Sequence, residues 1–166
     1  MISATEPDWS REKIISGHYE PGKYLLLAIR HYQRQQLKKT IISKMMSFFF
    51  VVRHRFWSAV CGADIPLNSK IGGGLMIPHP NGIVIHPDAE IGPNCLIFQQ
   101  VTIGNGLKPG LPVIEGHVDI GAGAKIIGNI HIGAHARIGA NAVVLNDVPE
   151  ASTAVGIPAI VHNKHQ

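Results

Sequence analysis

Cysteine is scarce in this chain of 166 residues: Cys61 and Cys95 are the only two, and no Cys-x-x-Cys pair occurs. A disulfide framework is thereby set aside, and a reduced, cytoplasmic protein is the expectation. No basic, apolar and small-residue leader opens the sequence. The apolar run MMSFFFVV, Met45 to Val52, is far short of the roughly 18 to 20 residues that cross a bilayer. Charge is sparse too, at 16% against a norm of roughly 25%. Acidic residues are missing altogether between Pro21 and Ala63, where Lys23, Arg30, Arg34, Lys38, Lys39, Lys44, Arg53 and Arg55 stand. The net charge of +4 therefore belongs to the N-terminal segment.

What the chain has instead is turn formers, with 18 glycines and 11 prolines, and an aliphatic residue that returns every sixth position. Ile65, Ile71, Ile77 and Ile83 form one set, Ile85, Ile91, Ile97 and Ile103 a second, and Ile114 to Val144 a third. Small residues such as Ala89, Cys95, Val118, Ala124, Ala136 and Ala142 sit two places earlier, and glycine often follows directly. An α-helix buries positions three and four apart and loses roughly 1 kcal/mol at each interior glycine; hairpins need period two. Period six is the hexapeptide repeat of the parallel β-helix, in which three units close a triangular coil of about eighteen residues and stability comes from stacking coil on coil.

The repeat breaks twice. At Ile83-Val84-Ile85 the phase jumps by two, and Ile103 and Ile114 lie eleven apart, so about five residues within 104–113 are expected to leave the coil as a loop. Such breaks mark the working face of a solenoid. The expected organisation is a helical region over 1–60, a β-helix over 61–161 and a tail over 162–166. Two or three helices are expected in the first region, with Leu25, Leu26, Ile29 and Tyr32 on one face and basic residues opposite. After Val148-Pro149 a last short strand is expected in VGIPAIV.

His79 stands in the segment LMIPHPNGIVI, between two prolines and just before Asn81-Gly82, so its ring belongs to a turn and not to a rung. The plain reading is a solvated turn histidine. Residues 63 to 159 add a second reading: ADIPLNSKIGGGLMIPHPNGIVI, FQQVTIGN, GAGAKIIGN and VPEASTAVGIPA resemble the serine acetyltransferase branch of the hexapeptide acyltransferases. The resemblance implies a left-handed β-helix, against the usual right-handed crossover, together with a homotrimer whose active sites lie between subunits. It further implies transfer of acetyl from acetyl-CoA to a hydroxyl, with no metal.

On that resemblance His79 is the general base and Asp64, fifteen residues earlier, orients its ring. The backbone amides of Gly104 and Asn105 face the developing oxyanion. Ala122 and Ala140 match groove positions for the CoA arm, and Gly156, Ile157 and Pro158 the stretch near its nucleotide end. Two departures bear on the acceptor. Serine-specific members carry an aspartate just before the catalytic histidine, where this chain has Pro78, and an arginine-histidine pair in the loop, which here reads GLKPGLP with Lys108 its only charge.

A saccharide hydroxyl, free or lipid-linked, is therefore the expected acceptor, as in short members of the branch resembling exopolysaccharide or lipopolysaccharide O-acetyltransferases. Serine O-acetylation is the alternative, and a non-catalytic trimeric scaffold the alternative of another class. The spacing of His86, His117, His131 and His135 does not reproduce the three-histidine zinc set of a γ-type carbonic anhydrase. The basic segment reads as solvated helix faces, or as an amphipathic stretch resting on an anionic membrane. No stacking-aromatic motif accompanies it, which argues against nucleic acid.

Overall fold

The computed structural model describes residues 2–38, 40–107 and 109–163. Lys39, Lys108 and the tail beyond Asn163 lie outside the described residues. A short 3-10 turn, Trp9–Glu12, precedes two helices, α1 (Pro21–Gln36) and α2 (Ile41–Cys61). Pro21 opens α1 at its first turn, where its missing N–H is not needed. A capping box opens α2: the Ser43 N–H donates to Thr40 Oγ1 at 3.1 Å and the Thr40 N–H to Ser43 Oγ at 3.1 Å. Gly62 closes it in the left-handed region at φ 59°. Replacing Thr40 by Ala is expected to lower stability by about 1 kcal/mol, read as a shift of the urea midpoint with unchanged slope.

Thirteen short strands follow among the described residues. They are β1 (Lys70–Ile71), β2 (Val84–Ile85), β3 (Glu90–Ile91), β4 (Leu96–Ile97), β5 (Thr102–Gly104), β6 (Val113–Ile114), β7 (Asp119–Ile120), β8 (Lys125–Ile127), β9 (His131–Ile132), β10 (Arg137–Ile138), β11 (Val143–Val144), β12 (Thr153–Val155) and β13 (Ile160–His162). They form three sheets, ordered β2-β5-β8-β11, β1-β3-β6-β9 and β4-β7-β10-β12-β13. Every pairing is parallel except β12 with β13. The hexapeptide aliphatics point inward in ladders, such as Ile85, Ile103, Ile126 and Val144 along the first sheet, all essentially without solvent contact. Each ladder rung removes an aliphatic side chain from water, worth about 1.5 to 3 kcal/mol, and no rung can do so without its neighbours.

The register locates the breaks. Met76 lies opposite Leu96, twenty positions on, whereas Val84 lies opposite Thr102, eighteen on. Two extra residues are thus accommodated between Met76 and Val84, in the turn that holds His79, upstream of where the aliphatic count shows the jump. Beyond β5 the offset becomes twenty-three, as in Ile103 opposite Ile126 and Glu90 opposite Val113. Five residues are therefore extruded between Gly104 and Val113, as the spacing predicted.

The C-terminal end differs from expectation. The stack continues past Val148, which bridges to Ile132, into β12 beside β10 at an offset of sixteen, and β13 then returns antiparallel. Two strands form where one was expected, because Thr153–Val155 restores the inward ladder with Ala154. The His162 backbone, assigned to the tail, is the end of β13 opposite Thr153.

Arg30 corrects the reading of α1. Expected on a basic outer face, it is buried, its guanidinium donating to the carbonyls of Ile71 (2.6 Å) and Gly72 (2.7 Å) and pairing with Glu12 at 2.9 Å. Gly22 packs so tightly on Ile77 that a Cβ would come within 2.8 Å of the Ile77 side chain and closer still to its carbonyl oxygen. The helices thus lie against the first coil, beside the turn of His79.

Candidate active site

The turn of His79 follows from its sequence. Pro78 and Pro80 cannot donate to a ladder, and Gly82 takes φ 71°, where a side chain would be strained. Pro80 is buried while Pro78 and His79 are exposed, so the imidazole is presented at the corner between the third and first sheets. The same corner is stacked coil on coil by backbone hydrogen bonds: the Gln100 N–H donates to the Asn81 carbonyl (2.9 Å), Gly123 to Gln99 (2.8 Å) and Asn141 to Ala122 (2.8 Å). Asn81, Gln99, Ala122 and Ala140 therefore line one edge of the prism, with His79 at its lower end. Gln99 Oε1 is buried along this edge with no partner among the described residues.

Asp64 lies one coil below, its backbone bridging to Val84 through Asp64 N–H to Ile83 O (2.8 Å) and Ile85 N–H to Asp64 O (2.9 Å). Its neighbour Ile65 fills the core, so the exposed carboxylate faces outward on the His79 side of the first sheet. No hydrogen bond or ion pair joins Asp64 to His79 among the described residues. The structure brings the two to one corner without a hydrogen bond between them.

Gly104 and Asn105 leave the first sheet at its other end. The Asn105 N–H has no backbone acceptor among the described residues, and a Cβ added at Gly104 meets nothing within 4 Å. A donor and open space are what an incoming oxyanion requires. The extruded loop bounds a cavity of about 440 Å³ here, lined by His86, Asn105, Gly106, Leu107 and Pro109 to Leu111. Reading the sequence weighed His86 only as a metal ligand. Its place at the exit of β2, donating its N–H to the Ile103 carbonyl (2.8 Å), puts it in that cavity. The missed signal was its position directly after the inward Ile85.

Strand length separates these parts. From the His79 corner to Gly104 the chain crosses one face of the prism, roughly 13 Å at about 3.3 Å per residue. Within one chain His79 and the Gly104–Asn105 segment therefore stand a full prism face apart. Ala140 is exposed, Ala122 partly so, and Gly156, Ile157 and Pro158 are exposed at the upper end of the same edge. Between Gln99 and the exposed Ile157 this edge carries the small residues Ala122, Gly123 and Ala140.

Among the described residues the remaining histidines and cysteines form no such site. The His117 and His135 Nδ1 atoms lie 2.7 Å apart, one coil apart in sequence, and His131 pairs with Glu115 at 3.1 Å. Burial holds the His117 imidazole below its ordinary range, with the His135 charge acting the same way and Asp119 opposing. Among the described residues no three His, Cys, Asp or Glu side chains converge as a metal site. Burial pushes both thiols, Cys61 and Cys95, up to about 11, leaving them unreactive as nucleophiles.

A triangular stack of hexapeptide coils, with an imidazole at one corner and an extruded loop beyond it, is the frame of a hexapeptide-repeat acyltransferase of the left-handed parallel β-helix class. No family model matches the sequence. Serine acetyltransferase from Helicobacter pylori (strain J99) is 44% identical over 117 residues, 68% of this chain and 68% of that protein. The enzyme from Synechococcus elongatus is 47% identical over 103 residues, 60% of this chain and 42% of that one. Among solved structures, serine acetyltransferase from Brucella abortus superposes with a TM-score of 0.72 at 33% identity, over 87% of this chain and 58% of that one. A serine acetyltransferase in complex with CoA gives 0.70 at 37%, over 87% and 57%. The chain belongs to the serine acetyltransferase family. It spans about half the length of the curated relatives it matches.

Proposed function

We propose that the protein transfers acetyl from acetyl-CoA directly to a hydroxyl, with His79 as general base. The neutral imidazole takes the hydroxyl proton as the oxygen attacks the thioester carbonyl. The Asn105 N–H stabilises the oxyanion, and Gly104, whose own N–H serves the ladder to β8, leaves the space beside it open. As the intermediate collapses the C–S bond breaks, and the imidazolium returns its proton to the departing thiolate. Asp64 is the group that steadies the imidazolium once a substrate orders the corner. Ala122 and Ala140 leave room for the CoA arm, and Gly156, Ile157 and Pro158 for its nucleotide end.

The single observation that carries this reading is the two-residue insertion that lifts His79 out of the solenoid, at the foot of an edge on which Ala122 and Ala140 succeed Gln99. The separation of His79 from Gly104 within one chain supports a trimer in which one subunit supplies the base and its neighbour the oxyanion donor. Relatives named serine acetyltransferases favour L-serine as acceptor over the saccharide expected from the sequence. A specific observation keeps the saccharide as a second reading: Pro78 offers no charge to an ammonium group, and the loop carries Lys108 as its one charge with no arginine-histidine pair for a carboxylate. A lipid-linked sugar would meet such an enzyme at a membrane surface.

The test is thiol release from acetyl-CoA by the purified protein, with L-serine set against a panel of sugars and nucleotide sugars. Release that saturates with serine, at least tenfold above any sugar, is expected. Saturation by a sugar with serine inert moves the acceptor to the second reading. Release that no acceptor stimulates leaves the solenoid a scaffold.

A further inference from the structure

The outward face of α2 has no partner in the fold. Successive residues turn about 100° around a helix, so Ser43, Ser47, Phe50, His54 and Cys61 share the side that packs inward. Opposite them Ile41, Met45, Phe48, Val52 and Phe56 form a stripe of large apolar side chains, each more than half exposed. Contiguous exposed apolar side chains of this kind mark an interaction surface, whereas scattered single ones do not. The borders of the stripe are cationic, Lys44 and Arg55 on one side and Arg53 on the other. None of these three makes an ion pair among the described residues, and no acidic residue occurs from Pro21 to Ala63.

We propose that this face lies on an anionic phospholipid surface, with Met45, Phe48, Val52 and Phe56 among the upper acyl carbons and Lys44, Arg53 and Arg55 at the phosphates. An apolar stripe of methionine, phenylalanine and aliphatics between cationic borders is the pattern of an interfacial helix. No helix is long and apolar enough to cross a membrane among the described residues, so the contact is peripheral. A second copy of the same face is the poorer occupant. A two-fold pairing would set Lys44, Arg53 and Arg55 against their own images with no acidic group to receive them. The proposal does not depend on the acetyltransferase reading.

The experiment is co-sedimentation of the full chain with vesicles of phosphatidylcholine containing phosphatidylglycerol, beside phosphatidylcholine alone, with sedimentation velocity of the free protein. The expected result is pelleting with the anionic vesicles only, weakened by added salt. Lys44→Gln with Arg55→Gln should weaken partition about thirtyfold, since each cation contributes about fivefold at such a surface. Met45→Asp with Phe48→Asp should abolish it, with far-UV circular dichroism and thiol release unchanged. Three results overturn the proposal. One is no pelleting with anionic vesicles, and another is equal pelleting with both kinds. The third is dissociation of a wild-type oligomer by Met45→Asp with Phe48→Asp, which would assign the face to a second copy.

Discussion

Replacing His79 by Ala should lower kcat for acetyl transfer by about 10²- to 10⁴-fold, the contribution of one positioned general base. The fold should not change. His79 is exposed, and its turn is set by Pro78, Pro80 and Gly82, so the substitution removes no buried contact and adds no strain. Loss of the base leaves binding in place, and KM for acetyl-CoA should therefore move little, because the residues proposed to receive the CoA arm lie higher along the edge. Steady-state thiol release on matched preparations, with circular dichroism as the control, reads both parts. A variant as active as wild type would end the assignment of His79.

The largest stability effect is expected far from that corner. Arg30 and Glu12 form a pair in which each side chain is only 10% exposed. Arg30 Nε and Nη2 donate to the two carboxylate oxygens at 3.2 and 2.9 Å, while the N–H groups of Gly74 and Leu75 donate to Glu12 Oε1 at 2.9 and 3.2 Å. Arg30 also lies 5.5 Å from the Trp9 ring. The pair ties the N-terminal segment, α1 and the first coil together. Arg30→Met strands a buried carboxylate without its cation, which costs about 3 to 5 kcal/mol. Chemical denaturation should show it as a lowered midpoint. Adding Glu12→Gln should recover part of the loss, since the stranded charge is then gone. If Arg30→Met cost under about 0.5 kcal/mol, the pair would be no more than a surface bridge.

How far the sequence speaks depends on whether a feature is periodic. The ladder of Ile85, Ile103, Ile126 and Val144 is legible because burial repeats at fixed spacing, and the five-residue loop because it interrupts that spacing. The turn of His79 is legible from its prolines, although the aliphatic count places the extra residues a few positions too late. Arg30 was misread because helical spacing reports which face a residue occupies, not what covers that face. What covers it is Glu12, eighteen residues upstream, in a segment with no period at all. Asn94 shows the same blindness. Fully buried at φ 61°, it accepts from the Asp8 N–H (2.7 Å) and donates to the carbonyls of Ser3 (2.8 Å) and Glu6 (2.7 Å), fastening residues 3–8 across the coils. Such contacts span nearly ninety positions, and nothing local announces them. At the candidate site, the corner that holds His79 was legible and its distance from Gly104 was not. That distance depends on the width of a prism face, which becomes visible only once the coils are stacked.

At the C-terminal end the parallel stack of the third sheet stops. A parallel stack of identical rungs has no internal reason to stop, because each coil offers the next the same row of carbonyls and amides, and an exposed row recruits strands from other molecules. Here β13 folds back against β12, so the last rung of the third sheet is answered by the chain's own reversed strand and not by another coil. The turn through Gly156 and Pro158 thus ends the parallel register on that sheet, whose outermost strand presents a reversed edge that does not match the rung of another coil.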